Sequence, residues 1–331
     1  MTRLTLSQAY FVLLAAMGIC IGPLLHPAVA EVPAALLLTA EKPTFKILTS
    51  QISAAETRPF KTLAESDQAL AEGIDFIRQG NVTAAIAAFE QAVSLEPSSA
   101  VAYYNLGLAL RQDNQLQAAA TAFWQAIQAD NSLTLAYVNL GAALLEGNNL
   151  EQAEEYLTQA LALEPTSGMA YYNMGLLQRR KGDDRAAFEA FTQAIAYSPS
   201  APEPHYHVGA IYQAQGQYDQ AEQALENAIA LDNRYPEAYY SLGVNFVRQG
   251  NAEQAIIQFT RAFEILPTFS HAYYAQALAL AELQRYDEAK AQLQVATNLY
   301  IAQGEAYWAS VAQRQMTYLE TLQSRSSGIQ Q

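Results

Sequence analysis

Cysteine is almost absent from this sequence: among 331 residues there is only Cys20, within an apolar N-terminal stretch. A single cysteine excludes a disulfide framework and a zinc site built on several thiolates. Basic residues are also scarce, with 18 Lys and Arg against 32 Asp and Glu and a formal net charge of -14. Because nucleic acids and anionic lipid surfaces attract basic proteins, this balance argues against either as the main partner.

Signatures of catalysis and metal binding are missing as well. The four histidines are His26, His205, His207 and His271. His205 and His207 stand two apart, so on a helix they point to different sides and cannot chelate one ion. No Asp or Glu follows His207 or His271 at three or four residues, and no phosphate loop, dinucleotide fingerprint or nucleophile elbow occurs. We therefore expect no metal, no cofactor and no enzymatic activity.

Residues 1–30 read as a secretory signal peptide. Arg3 precedes an apolar run over residues 9–25, and Ala28-Val29-Ala30 offers a cleavage site before Glu31. The alternative is an uncleaved membrane anchor formed by residues 9–25, although this run is shorter than the roughly 20 residues that span a bilayer. We expect export to a periplasm or a comparable lumen. Residues 31–65 show no clear period and read as a linker or loosely ordered segment.

A spacing of 34 residues dominates the rest of the chain. Three columns of small residues keep this step: Gly73, Gly107, Gly141, Gly175, Gly209, Gly243 and Ala277; Ala85, Ala119, Ala153, Ala187, Ala221, Ala255 and Ala289; Ala92, Ala126, Ala160, Ala194, Ala228, Ala262 and Ala296. Counted from Ser66, they fall at positions eight, twenty and twenty-seven. Small side chains at these places predict two antiparallel helices, A and B, that approach closely in each unit. The columns therefore predict seven helical repeats over residues 66–303.

Turn residues follow the same register. Position fifteen, just after helix A, predicts a left-handed backbone, which Gly and Asn adopt at little cost. The residues there are Gly80, Asn114, Asn148, Gly182, Gly216 and Gly250, with Gln284 as the single departure. Pro97, Pro165, Pro199 and Pro267 stand at position thirty-two, where a proline ends helix B. Asn131, Asn233 and Ile301 replace it in the other repeats.

The third repeat carries the fullest motif, with Tyr137, Leu140-Gly141, Ala153, Leu157, Ala160 and Pro165. This pattern resembles the tetratricopeptide-repeat family. The resemblance implies an all-α, right-handed α-solenoid of about seven 34-residue helix-turn-helix units. A C-terminal capping helix over residues 304–323 and a flexible tail over residues 324–331 complete the expected organisation.

In proteins similar to this one, helix A lines the concave face and projects positions two, five, six, nine, twelve and thirteen inward. Two columns on that face stand out: Tyr104, Tyr172, Tyr206, Tyr240 and Tyr274 at position five, and Asn105, Asn139, Asn173 and His207 at position six. Tyr offers a rigid ring with a polar tip, and Asn both donates and accepts hydrogen bonds, so the columns suit an extended polypeptide. The alternative is that the Tyr rings only pack between neighbouring helices.

Arg179 and Arg180 are expected at positions twelve and thirteen of the inner face, near Lys181 and Arg185. A guanidinium pair could hold an acidic side chain or a C-terminal carboxylate of a partner. The alternative is a favourable placement of cations at a helix C-terminus. We accordingly predict a non-catalytic scaffold or assembly factor that binds an extended client polypeptide. The alternative function is an exported carrier of a metal or small ligand that assists assembly of a metalloprotein complex.

Overall fold

The computed structural model describes residues 60–328, and side chains within residues 63–324. The predicted signal peptide over residues 1–30, residues 31–59 of the predicted linker and the last three residues lie outside this range. The described chain forms fifteen α-helices, numbered here in chain order, and contains no β-strand.

The odd-numbered helices are the A helices of successive repeats, and α15 is the cap. Their bounds are α1 Phe60–Arg78, α3 Ala100–Gln112, α5 Thr134–Glu146, α7 Gly168–Lys181, α9 Pro202–Ala214, α11 Pro236–Arg248, α13 Ser270–Glu282 and α15 Ala306–Gly328. The even-numbered helices are the B helices. Their bounds are α2 Val82–Leu95, α4 Leu116–Ala129, α6 Leu150–Leu163, α8 Asp184–Tyr197, α10 Tyr218–Leu231, α12 Ala252–Ile265 and α14 Tyr286–Ala302.

Each helix packs against the helices that precede and follow it in the chain, from α1 to α15. This nearest-neighbour packing is that of a helical solenoid, so the predicted fold of about seven helix-turn-helix units with a capping helix is confirmed. The first helix starts at Phe60, six residues before the predicted first repeat at Ser66. No Gly or Pro interrupts residues 60–65, so the helix simply extends toward the N-terminus.

Within a repeat, the glycine at position eight allows helix A to contact helix B. A Cβ atom added to Gly175 would lie 2.5 Å from Cε1 of Phe191, and one added to Gly107 would lie 2.6 Å from Cε1 of Phe123. Both Ala columns are 0% exposed throughout the array. The small residues therefore set the distance between the two helices, as their spacing predicts.

The backbone at position fifteen is left-handed in all seven repeats. Its φ angle is positive at Gly80, Asn114, Asn148, Gly182, Gly216, Gly250 and Gln284, with values from 60° to 81°. At Gly182 the turn is closed by the Gly182 N–H, which donates to Arg179 O at 3.0 Å, and by the Asp183 N–H, which donates to Gln178 O at 2.9 Å. Gln284 departs from the pattern in sequence but not in conformation.

The C-terminal helices differ in length from the expectation. In α14, where Ile301 replaces the proline of position thirty-two, the helix continues to Ala302. The capping helix α15 continues to Gly328, so residues 324–328 of the predicted flexible tail are helical, because no Gly or Pro stands between Ala306 and Gly328. Ala309, Ala312 and Leu319 of α15 bury the apolar face that α14 would otherwise expose. In the part of the chain described, no helix combines the length and apolarity needed to cross a bilayer.

Candidate functional site

The A helices form the inner layer of the solenoid. Successive A helices contact each other at α3 with α5, α5 with α7, α9 with α11 and α11 with α13. Among the described helices, no two successive B helices come comparably close. An array curves toward its more tightly packed layer, so the A helices line the concave face. The candidate site residues all lie on these helices.

Rings at position five pack against position twenty-four of their own repeat. Tyr104 and Phe123 have ring centroids 5.8 Å apart, and Tyr172 and Phe191 have theirs 5.9 Å apart. Tyr104 is 1% exposed and Tyr206 and Tyr240 are each 5% exposed, whereas Tyr172 and Tyr274 are half-buried. The Tyr rings at position five therefore do pack between helices, which is the alternative that the sequence left open. Contact with a partner through the half-buried rings stays a prediction.

The asparagines at position six are buried, and their amides bond within their own helices. Nδ2 of Asn105 donates to Val101 O at 3.0 Å, and Asn139 and Asn173 repeat this bond four residues back at 2.9 and 3.0 Å. These bonds fix the side chains on the helix surface. In Asn139 the same nitrogen also lies 3.2 Å from Tyr104 Oη and donates to it, which links the second repeat to the third.

His207 takes position six in the fifth repeat and joins two residues of the fourth. Its Nε2 lies 3.4 Å from Tyr172 Oη, and its Nδ1 lies 3.4 Å from Nη1 of Arg179. Because a guanidinium only donates, Nδ1 accepts and Nε2 carries the proton. Burial, followed by the charge of Arg179, holds the pKa of the His207 imidazole well below its usual value, which keeps the ring neutral. Its face stacks on Phe191 with centroids 4.8 Å apart.

Arg179 and Arg180 are exposed in the last turn of α7. Nη1 of Arg180 donates to Leu145 O at 3.2 Å, near the end of α5, so this arginine satisfies a carbonyl at a helix C-terminus as the dipole alternative expects. The next residue, Lys181, differs from the two arginines because it forms an ion pair with Glu154 at 2.6 Å. No carboxylate of the described residues lies within ion-pair distance of Arg179 or Arg180.

An acidic and aromatic group beside these residues was not predicted from the sequence. Tyr235 precedes α11, and its ring centroid lies 5.2 Å from that of Tyr206. Burial raises the pKa of the Tyr235 hydroxyl well above its usual value, and the neighbouring Tyr206, Tyr172, Glu237 and Glu203 raise it further. The sequence feature that could have indicated this group is the residue type at position two, which changes from apolar to polar along the array. It reads Val101, Leu135 and Met169 in repeats two to four, and then Glu203, Glu237, His271 and Glu305.

The histidines of the array lie apart. His207 contacts Tyr172 and Phe191, whereas the ring centroid of His271 lies 5.2 Å from that of Tyr300 and 5.3 Å from that of Trp308 at the cap. Over residues 60–328, no three His, Cys, Asp or Glu side chains come together in a group that could hold a metal ion.

Models of the tetratricopeptide repeat match residues 70–133, 138–202, 201–268 and 270–294. No curated protein gives a significant match in sequence.

Solved structures of similar fold include three with low sequence identity. The Cut9-Hcn1 hetero-tetramer of APC/C aligns with a TM-score of 0.60 and 19% identity over 65% of this chain and 43% of the other, so this chain spans less than half of its length. For pilF of Pseudomonas aeruginosa the TM-score is 0.57, at 18% identity over 66% of this chain and 99% of pilF. A tetratricopeptide repeat protein from Parabacteroides merdae aligns with a TM-score of 0.58 and 16% identity, over 76% and 99%. With repeat models matching most of the array and its helices packed as a solenoid, the chain belongs to the tetratricopeptide-repeat family.

Proposed function

We propose that this chain is a protein-interaction scaffold, without chemistry of its own, that holds an extended segment of a partner polypeptide along its concave face. The observation that carries the proposal is the exposed pair Arg179 and Arg180, which has no carboxylate of the described residues within ion-pair distance. A guanidinium on an ordered surface that has no carboxylate partner within the chain favours a ligand that brings one. The protein as a whole is acidic, with a net charge of -14, so this pair is a local concentration of positive charge.

The surface next to this pair is held in place before any partner arrives. His207 contacts both Tyr172 and Arg179 across the boundary of two repeats. Side chains that are already ordered lose little conformational entropy on binding, so more of the interaction energy remains for affinity. The similar fold of the Cut9-Hcn1 hetero-tetramer supports a role in protein assembly by analogy only.

Site-specific photocrosslinking in the native compartment tests the proposal. Met169 is 38% exposed on α7 at the inner position two, and Ile257 is 50% exposed on the outer helix α12. We expect a photoreactive residue in place of Met169 to form an adduct with a partner polypeptide, and one in place of Ile257 to form none. The absence of an adduct at Met169, or equal adducts at both sites, would contradict binding on the concave face.

We further propose that the protein acts after export, in a periplasm or a comparable lumen. Support comes from Arg3, the apolar run over residues 9–25 and the small residues Ala28 to Ala30. N-terminal sequencing of the protein purified from its cells tests this proposal. A chain starting near Glu31 is expected, and a chain starting at Met1 would contradict cleavage.

A further inference from the structure

A chain of side-chain contacts leads from Arg179 to Tyr235, at the end of the next repeat. Arg179 lies 3.4 Å from His207, whose ring centroid lies 5.1 Å from that of Tyr206. The Tyr206 ring is in turn 5.2 Å from the Tyr235 ring. These contacts form an aromatic floor, defined as His207, Tyr206 and Tyr235, between α7 and the start of α11.

The two ends of this floor carry opposite charge. Burial raises the pKa of the Tyr206 hydroxyl, a hydrogen bond with Ser241 lowers it, Glu237 raises it and Arg179 lowers it. Glu203 stands three residues before Tyr206 and four before His207 on α9, so it shares the face of the helix that carries both rings. A ligand lying across the floor would meet a positive charge at one end and a negative charge at the other.

The acidic end is represented by Glu203, in the first turn of α9. Its side chain is half-buried, and no Lys or Arg of the described residues lies within ion-pair distance of it. Burial raises the pKa of the Glu203 carboxyl, its own backbone N–H lowers it, and Asp232 raises it. A bound ammonium or guanidinium would favour the ionised carboxylate, and the nearby ring of Tyr235 could add a cation–π contact.

The helix dipole alone does not explain this arrangement. An acid in the first turn and a base in the last turn of a helix are each favourable. Yet helices α3, α5 and α7 carry Val101, Leu135 and Met169 at position two, so a carboxylate is not required there. Glu203 takes this position in the repeat that directly follows the arginine pair.

We propose that the arginine pair, the aromatic floor and Glu203 together bind a segment of a partner polypeptide that carries an acidic and a basic side chain two residues apart. The acidic side chain pairs with Arg179 and Arg180, and the basic side chain pairs with Glu203. Side chains two residues apart in an extended chain point to the same side, so both can face the floor at once. This inference rests on the proposed function and adds the chemistry of the partner.

Selection from a random peptide library with the purified mature protein tests the inference. We expect bound sequences to be enriched in an acidic and a basic residue separated by one residue. Arg179→Gln with Arg180→Gln should reduce enrichment of the acidic residue about tenfold and leave the basic one, and Glu203→Gln should do the reverse. Arg180→Gln alone leaves the contact of Arg179 with His207 intact and should weaken the acidic preference in the same direction.

Matched controls on the outer helices are Arg261→Gln on α12 and Glu226→Gln on α10. Each removes one charge, as Arg180→Gln and Glu203→Gln do, and each should leave the enrichment unaltered. Helicity and the thermal midpoint of every variant check its folding. Peptides enriched without the charge pair, or a pair preference that survives both inner variants, would overturn this inference while leaving a peptide scaffold in place. No enriched peptide, together with no adduct at Met169, would overturn the proposed function and this inference with it.

Discussion

The hydroxyl of Tyr172 and Nε2 of His207 lie 3.4 Å apart, across the boundary between the fourth and fifth repeats. The two residues are 35 positions apart, and the same offset joins Tyr104 to Asn139 at 3.2 Å. Position five of one repeat thus bonds to position six of the next. The two columns that the sequence assigned to a ligand also connect the repeats to each other.

We predict that Tyr104→Phe lowers the free energy of unfolding by about 1 kcal/mol, because it removes the hydroxyl that accepts from Asn139 in a buried place. Asn139 keeps its bond to Leu135 O, which limits the loss. Urea unfolding followed by circular dichroism measures the change. The control is Tyr103→Phe, in the same helix on a half-buried ring, and an equal loss in both variants would argue against the bond between repeats.

The fold could be predicted from the sequence because the contacts that define it recur within each repeat. Gly175 at position eight meets Phe191 at position twenty-four of the same unit, and the spacing of sixteen residues is visible in the sequence. The left-handed turn at position fifteen is equally local. Even Gln284, whose residue type did not indicate it, adopts the turn because the flanking helices require it.

The candidate site could be predicted only in part, since burial at position five depends on how each repeat is rotated against the next. Tyr172 and Tyr240 share a column, yet one is half-buried and the other is 5% exposed. No pattern inside one repeat encodes that rotation. The contact of Tyr235 with Tyr206 lies within one repeat and was missed for a different reason, because position thirty-four is aromatic only at Tyr235 and Phe269 and so forms no column in the sequence.

Replacing a position-eight glycine should destabilise the array through steric overlap. In Gly175→Ala the new Cβ would lie 2.5 Å from Phe191, so the ring or the helix must move, at a cost of about 1–3 kcal/mol. Thermal or urea unfolding measures the loss. Gly147→Ala serves as a control, because its φ is -73° and the nearest atom to an added Cβ is 3.4 Å away. Similar losses for the two would contradict the packing argument.

Gln284 offers a stabilising change. Its φ of 61° is costly for a residue with a Cβ, and glycine removes that cost. Glycine also makes the unfolded chain more flexible, which offsets part of the gain. We therefore expect Gln284→Gly to raise the free energy of unfolding by about 0.5–1 kcal/mol. Chemical denaturation should show a higher midpoint with an unchanged slope. The reverse change in the preceding repeat, Gly250→Ala at a φ of 77°, should lower the midpoint. A lower midpoint for Gln284→Gly would mean that the side chain contributes more than the strain costs.

His271 should make the stability of the C-terminal end depend on pH. Its ring packs on Tyr300 of α14 and Trp308 of α15, while Nδ1 lies 3.5 Å from Ser270 Oγ and Nε2 has no hydrogen-bond partner among the described residues. Burial lowers the pKa of the imidazole to about 4 from 6.5. At the cap, burial also raises the pKa of the Glu305 carboxyl.

Between pH 6.5 and 4 the unfolded chain therefore binds a proton at His271 that the folded chain does not. Its contribution to stability is fully retained above pH 6.5 and declines as the pH falls toward 4, by at most about 1.4 kcal/mol per pH unit. Urea midpoints of the wild type and of His271→Gln across this range measure it. Buried carboxyls with raised pKa values act in the opposite direction in both proteins, so the difference between the two profiles isolates the imidazole. Parallel profiles would show that His271 is hydrated or paired in solution. Only an imidazole that is buried in its neutral form makes the folded protein less stable as the pH falls from 6.5 to 4.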